Sequence, residues 1–178
     1  MRGVGLIIVL GGVVIGAGVA VVFGAFPART DIREIDFSRS ACFGQCPTYD
    51  VTFRSNGCAI YIGHRNALLI GRYTGEVDFQ KLADLVETHH FWDLQSQYAM
   101  NVVDAPGMEL RVVKPSKIKT VETRAESGRD VPVDFYALGK LIDGFVFTTH
   151  WFSSVPKKST QSSGWFEMPP SKLIPGCV

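Results

Sequence analysis

Residues 42–62 combine a closely spaced cysteine pair with the strongest β-hairpin signal in the chain. Cys42 and Cys46 are four positions apart, with Gly44 between them. Apolar and polar residues then alternate over 49–54, Asn-Gly follows at 56–57, and an apolar run covers 59–62. Alternation indicates a half-buried strand, and Asn-Gly favours a turn in which both residues have positive φ. The sequence therefore predicts two antiparallel strands directly after the cysteine pair.

Cysteines at this spacing suit three kinds of site: a structural disulfide, a redox dithiol, or two thiolate ligands for a soft metal. The string C-x-x-x-C-P resembles the copper motif of the Sco family of thioredoxin-like copper chaperones, but such a site needs a helix after the motif. The four histidines show no metal-ligand spacing. We favour a disulfide between Cys42 and Cys46. Cys58 and Cys177 either pair and tie down the chain end, or remain free.

The first 28 residues contain a long apolar segment. No charged or strongly polar residue occurs between Gly3 and Phe26, and about 20 helical residues cross the hydrocarbon core of a bilayer. A cleavable signal peptide has a shorter apolar stretch. We therefore predict a retained single-span membrane anchor over residues 1–28, with a cleaved signal as the alternative.

Small residues recur every four positions along this segment. They are Gly12, Gly16, Ala20 and Gly24. Such a ridge lets another helix backbone approach closely, so we expect it to pack against other membrane subunits or a second copy of the chain. A long domain can cross the membrane regardless of flanking charges, and closely spaced cysteines suit an oxidising compartment. The following domain is therefore predicted on the periplasmic side, next to membrane lipid.

Residues 29–152 are predicted to form one α+β domain. Alternation indicates strands over 32–37, 49–54, 59–62, 68–77, 108–113 and 118–123. Asp78 can cap one amphipathic helix, and a second runs from Pro132 to about Phe145. Strands, a helix, two strands and a helix predict a mostly antiparallel sheet with both helices on one face. The connection 95–107 is long and irregular, as functional loops often are.

Composition and motifs argue against several functions. Basic and acidic residues number 18 and 17 and are interspersed, so no nucleic-acid footprint is present. No nucleophile, base and oxyanion arrangement and no phosphate-binding glycine loop can be identified. Asp78, Asp104 and Asp143 are assigned to a helix cap, a turn and a helix surface. We predict no enzymatic activity and no cofactor.

From Ser153 to Val178 the chain is rich in Ser, Pro and Lys but also carries Trp165, Phe166 and Met168. Apolar residues in such a segment are typical of a tail that orders on a partner. A tail that folds back over its own domain is the alternative.

From Ile35 to about Trp151 the chain resembles a bacterial family of unknown function typified by a C-F-G-x-C-P-x-Y motif. The residues that carry the resemblance are Cys42, Phe43, Gly44, Cys46, Pro47, Tyr49, Gly57, Tyr61 and Gly63 and, less specifically, Phe91, Leu94, Tyr98, Asp104 and Pro106. The resemblance implies an extracytoplasmic α+β domain and no particular reaction.

These features together predict a non-catalytic, single-span accessory subunit of a larger bacterial membrane complex, of which respiratory and photosynthetic assemblies are possible hosts. It would dock through the helix ridge and the tail. The alternative is an extracytoplasmic thiol redox or copper-handling protein that uses Cys42 and Cys46.

Overall fold

The computed structural model describes residues 30–125, 130–153 and 177. They form an eight-stranded sheet with two helices, which confirms the predicted α+β class. The strands are β1 (Glu34–Arg39), β2 (Tyr49–Arg54), β3 (Cys58–Gly63), β4 (Gly71–Glu76), β5 (Gln97–Tyr98), β6 (Met108–Val113), β7 (Ile118–Thr123) and β8 (Trp151–Ser153). The helices are α1 (Phe79–Thr88) and α2 (Val133–Thr148), with a 3₁₀ turn at Phe91–Asp93.

The spatial order of the strands is β5-β7-β6-β1-β2-β3-β4-β8. All neighbours pair antiparallel except β5 and β7, which are parallel. Strand β1 therefore lies inside the sheet, between β6 and β2. In this register Arg39, the last residue of β1, is opposite both Tyr49 and Met108.

One face of the sheet carries the core, because alternate side chains of each strand point to the same side. The buried strand residues on this face include Ile35, Phe37, Tyr49, Val51, Phe53, Tyr61, Met108, Leu110, Val112 and Val121. Helix α1 adds Phe79, Leu82, Ala83 and Val86, and α2 adds Phe135, Leu138, Ile142 and Val146, to the same cluster. Both helices thus cover one face, and we call the other the open face.

The open face is mostly polar. Near its middle, Arg111 of β6 donates to Asp36 at 2.5 Å and contacts Glu34 at 3.4 Å. Thr52 donates to the other Asp36 oxygen at 2.7 Å.

The two ends of the sheet differ in what they carry. At the entry end, residue 30 leads into β1 beside the 55–57 and 114–117 turns. At the opposite end, the cysteine-loop end, β1 stops at Arg39 and β2 starts at Tyr49, so residues 40–48 form a loop there. A six-residue strand is about 20 Å long, which separates the two ends by about that distance.

The turn between β2 and β3 differs from the predicted type. Only Gly57 has positive φ, at 83°, and Asn56 does not. The Gly57 N–H donates to the Arg54 carbonyl at 2.9 Å, so Ser55 and Asn56 occupy the turn centre and Gly57 follows it. This is a three-residue loop with glycine in the left-handed position, and the Asn56 side chain accepts from the Cys58 N–H at 3.0 Å.

Two short strands were not predicted. Strand β5 lies within the connection that reads as irregular, and β8 extends the sheet as far as Ser153. Strand β8 lies against Gly75, where an added Cβ would be 2.6 Å from the Thr149 methyl group. The Trp151 ring fits there, 5.1 Å from the Tyr61 ring.

The predicted anchor over residues 1–28 lies outside the described residues. No helix within 30–125 or 130–153 is long and apolar enough to cross a membrane.

Candidate functional site

Two loops are fastened together at the cysteine-loop end. The structure pairs Cys42 with Cys46, whose Cα atoms are 5.6 Å apart. The Phe43 N–H then donates to the Asp104 carbonyl at 3.1 Å. Ser40 makes two bonds with Gly107, donating its N–H at 3.1 Å and accepting at Oγ at 2.9 Å. Loop 40–48 and loop 99–107 are therefore held as one surface.

A buried ion pair between the sheet and α2 lies next to these loops. Arg39 Nε and Nη2 donate to the two carboxylate oxygens of Asp143 at 3.1 and 2.5 Å. The side chains of Arg39 and Asp143 are 5% and 13% exposed. Two parallel charge-assisted bonds of this kind fix both distance and orientation. The arginine also lies on the Phe37 ring, with Cζ 5.0 Å from the centroid.

The hydroxyl of Tyr49 donates to Oδ1 of the same Asp143 carboxylate. Burial raises the pKa of the Tyr49 phenol, and the neighbouring carboxylate raises this pKa further. The phenol therefore keeps its proton at neutral pH and acts as a hydrogen-bond donor.

Close packing of α2 on the sheet brings Asp143 into reach. A Cβ atom at Gly139 would overlap the sulfur of Met108 on β6. Glycine at this position lets the helix backbone approach the strand, and Asp143 follows one turn later.

Asp143 corrects one prediction, because the sequence assigned it to a helix surface. That assignment followed the apolar stripe of α2 and ignored the neighbouring strand. Arg39 was not singled out, although a signal existed: it continues the alternation of Ile35 and Phe37 onto the buried face. The structure agrees with the other two assignments, since Asp78 caps α1 by accepting from the Lys81 N–H at 3.1 Å and Asp104 lies in a loop with φ of 61°.

The cluster links β1 and β2 to α2 through one carboxylate. The carboxylate of Asp143 accepts three hydrogen bonds, two from Arg39 and one from Tyr49. In the part of the chain that the structure describes, no three His, Cys, Asp or Glu side chains are grouped to hold a metal ion.

A second disulfide lies at the entry end and on the open face. It joins Cys58, the first residue of β3, to Cys177, and the two Cα atoms are 5.6 Å apart. The sequence left these cysteines either paired or free. Together with Ile60 they form a small apolar cluster, in which Cys58 is fully buried. The pairing ties the chain end to the sheet.

One cavity and one cleft adjoin the cysteine loop, and exposed apolar side chains lie near both of them. One cavity of about 270 Å³ lies between the loop and α2, and one cleft of about 750 Å³ lies on the open face. Three apolar side chains near these hollows are largely exposed. They are Phe43 at 88%, Val103 at 82% and Phe147 at 58%.

The other predicted site residues belong to the N-terminal segment and to the C-terminal tail. The ridge residues Gly12, Gly16, Ala20 and Gly24 and the tail residues Trp165, Phe166 and Met168 lie outside the described residues.

Fold and site define a class of protein: an α+β domain with a disulfide-closed loop held by an ion pair between the sheet and a helix. The chain belongs to the DUF6438 family, a domain of unknown function whose model matches residues 33–146. The resemblance to a family of unknown function is thereby confirmed. The matched range contains Arg39, Tyr49 and Asp143 but ends before Cys177. No curated protein matches the chain.

Replacing Asp143 with Asn should lower the free energy of unfolding by about 3–5 kcal/mol, because it breaks a buried ion pair by removing one of its two charges. Urea unfolding of the full chain, followed by tryptophan fluorescence, measures this loss. Asp134→Asn on the exposed side of the same helix is the control and should cost less than about 1 kcal/mol. Equal losses in the two variants would contradict a structural role for the pair.

The two disulfides should differ in their contribution to stability. Cys58 and Cys177 are 119 positions apart and Cys42 and Cys46 only four. By the chain-entropy relation, removing the long cross-link should cost about 5 kcal/mol and the short one about 2 kcal/mol. Paired Cys→Ala variants, compared by urea unfolding under oxidising conditions, measure the difference. A larger loss from the short cross-link would contradict this reasoning.

Proposed function

We propose that this chain is a non-catalytic accessory subunit of a larger bacterial membrane complex, possible hosts being respiratory or photosynthetic assemblies. Its N-terminal apolar segment is the single-span anchor, and its α+β domain acts on the periplasmic side. Its partners are other membrane subunits or a second copy, with membrane lipid around the anchor.

The observation that carries this proposal is that the cysteines act as cross-links. Cys42 and Cys46 close a loop, and Cys58 and Cys177 join the chain end to β3. Disulfides persist in oxidising compartments and are rare in the cytosol. This supports a location outside the cytoplasm, and a domain that follows an apolar run of 24 residues can reach that location while remaining anchored.

The geometry of the entry end supports anchoring. Thr30 and Ile32 line a hollow with the 55–57 turn, so the chain joins the domain at that end. Phe26 is only four residues before Thr30, and so short a connector keeps the entry end near the membrane. The cysteine-loop end then faces away from the membrane.

The buried cluster supports a non-catalytic role. A general acid or base needs a proton that can move at the working pH, and the Tyr49 phenol keeps its proton because burial and Asp143 raise its pKa. Arg39 and Asp143 bind each other in a fixed bidentate geometry.

Blue-native electrophoresis of mildly solubilised membranes tests the proposal. The full chain should migrate as part of a larger assembly. Gly16→Leu should release it, since a large side chain blocks close helix approach, whereas Val14→Leu, off the small-residue ridge, should not. Migration of the wild-type chain as a lone monomer would contradict the proposal.

The alternative function is thiol redox or copper handling by Cys42 and Cys46. It is favoured by one observation, that both cysteines are only partly buried and lie on an outer loop. A structural disulfide predicts that both thiols resist alkylation until strong reductant is added and that no metal copurifies. Alkylation after mild reductant, or one copper per chain, would support the alternative instead.

A further inference from the structure

The cleft of about 750 Å³ lies on the open face at the cysteine-loop end. Its floor is one cross-strand row contributed by four neighbouring strands. The residues of this row are Glu122 of β7, Glu109 of β6, Ser38 of β1 and Asp50 of β2. Loop 99–107 forms a wall with Val102, Val103, Asp104 and Ala105.

The lining of the cleft is acidic. Four carboxylates, those of Asp50, Asp104, Glu109 and Glu122, line it against the guanidinium of Arg124. The other arginine in the lining, Arg39, is paired with Asp143, and His64 is bound to Asp50 at 2.7 Å. The lining therefore stays net negative even when His64 is protonated.

Glu109 is the carboxylate best placed to meet an incoming cation. Its side chain is exposed in the middle of the floor, and among the described residues no hydrogen bond or ion pair involves its carboxylate. Its neighbour Glu122 accepts from the Gln97 amide at 2.6 Å. Two carboxylates directly opposite each other repel, so a cation between them would be stabilising.

An apolar rim stands beside this acidic floor. Val103 is 82% exposed on the wall, and Phe43 is 88% exposed on the cysteine loop. The Phe43 N–H is bonded to Asp104, the residue after Val103, so the two apolar side chains belong to one fastened surface. Large exposed apolar side chains next to a cleft are typical of protein interaction sites.

We infer that this cleft and its rim are a docking surface for a basic protein segment that also carries an apolar side chain, supplied by a neighbouring subunit. Lysine or arginine side chains would bind over Glu109 and Glu122, and the apolar side chain would pack on Phe43 and Val103. The inference rests on the proposed function, because that function supplies the neighbouring subunit.

Charge and position favour this occupant over others. Anionic lipid and nucleic acid would be repelled by the four carboxylates. The surface also lies at the end opposite to the chain entry, about one strand length of 20 Å away from the end of the sheet where β1 begins. A segment of a neighbouring protein can reach this end, and its basic residues complement the floor.

A phage-displayed library of random 12-residue peptides, panned against the oxidised full chain in detergent, tests the docking surface. Enriched peptides should carry two or more Lys or Arg with at least one Trp, Phe or Leu, and should bind less tightly as salt is raised. Enrichment without basic residues, or no enrichment, would overturn the inference.

Variants then locate the binding. Glu109→Lys should weaken the selected peptide about tenfold or more, roughly 1.4 kcal/mol per tenfold, and Phe43→Ser should weaken it independently of charge. Glu76→Lys, an exposed glutamate on β4 at the entry end, is the matched control and should leave affinity unchanged. Equal affinity of all three variants would overturn the inference. Displacement of the library peptides by a synthetic peptide of residues 154–176 would also overturn the inference. The segment that binds the cleft would then come from this chain and not from a neighbouring subunit.

Native electrophoresis separates this inference from the proposed function. If the wild-type chain migrates in an assembly and both Glu109→Lys and Phe43→Ser do so with equal stability, the docking surface is wrong and the accessory role stands. If the wild-type chain migrates alone, the accessory role is wrong, whatever the peptides do.

Discussion

The bidentate pair between Arg39 and Asp143 is the contact on which the cysteine-loop end depends. Arg39 ends β1 and Tyr49 begins β2, so both stems of loop 40–48 are bound to one carboxylate on α2. Buried ion pairs contribute little net stability compared with apolar packing. The value of this pair is therefore positional: it fixes where the loop leaves and re-enters the sheet, and it links that geometry to the helix behind it.

Most of the regular structure follows from local patterns in the sequence. Alternation locates β2, β6 and β7, and helical spacing with the Asp78 cap locates α1, because one buried face imposes these periods. Strands β5 and β8 have two and three residues, which is too few to show a periodic pattern of apolar residues. They form because each can hydrogen-bond to the edge of a neighbouring strand. The site was less predictable, since Asp143 is bound by Arg39 of β1 and Tyr49 of β2, which are 104 and 94 positions away in sequence.

The two disulfides have different structural effects. The short one constrains a loop whose stems are already held, so it mainly limits the conformations of residues 42–46. The long one joins β3 to Cys177, a residue beyond the range that matches the family. It lies on the open face, where Cys58 and Ile60 would otherwise expose an apolar strip among charged side chains. No local pattern could reveal this pairing, because it depends on which face of β3 the chain end reaches.

The arrangement gives the domain two chemically distinct ends. Chain entry and the long disulfide lie at one end, and the exposed Phe43 tip with its acidic cleft lies at the other. Strand β1 runs between them inside the sheet, and its last residue is the arginine of the ion pair. The loop that carries Phe43 is therefore fixed to the sheet at both of its ends. Binding at a surface that is already ordered loses less conformational entropy, so an otherwise polar domain can bind a partner through a few exposed side chains.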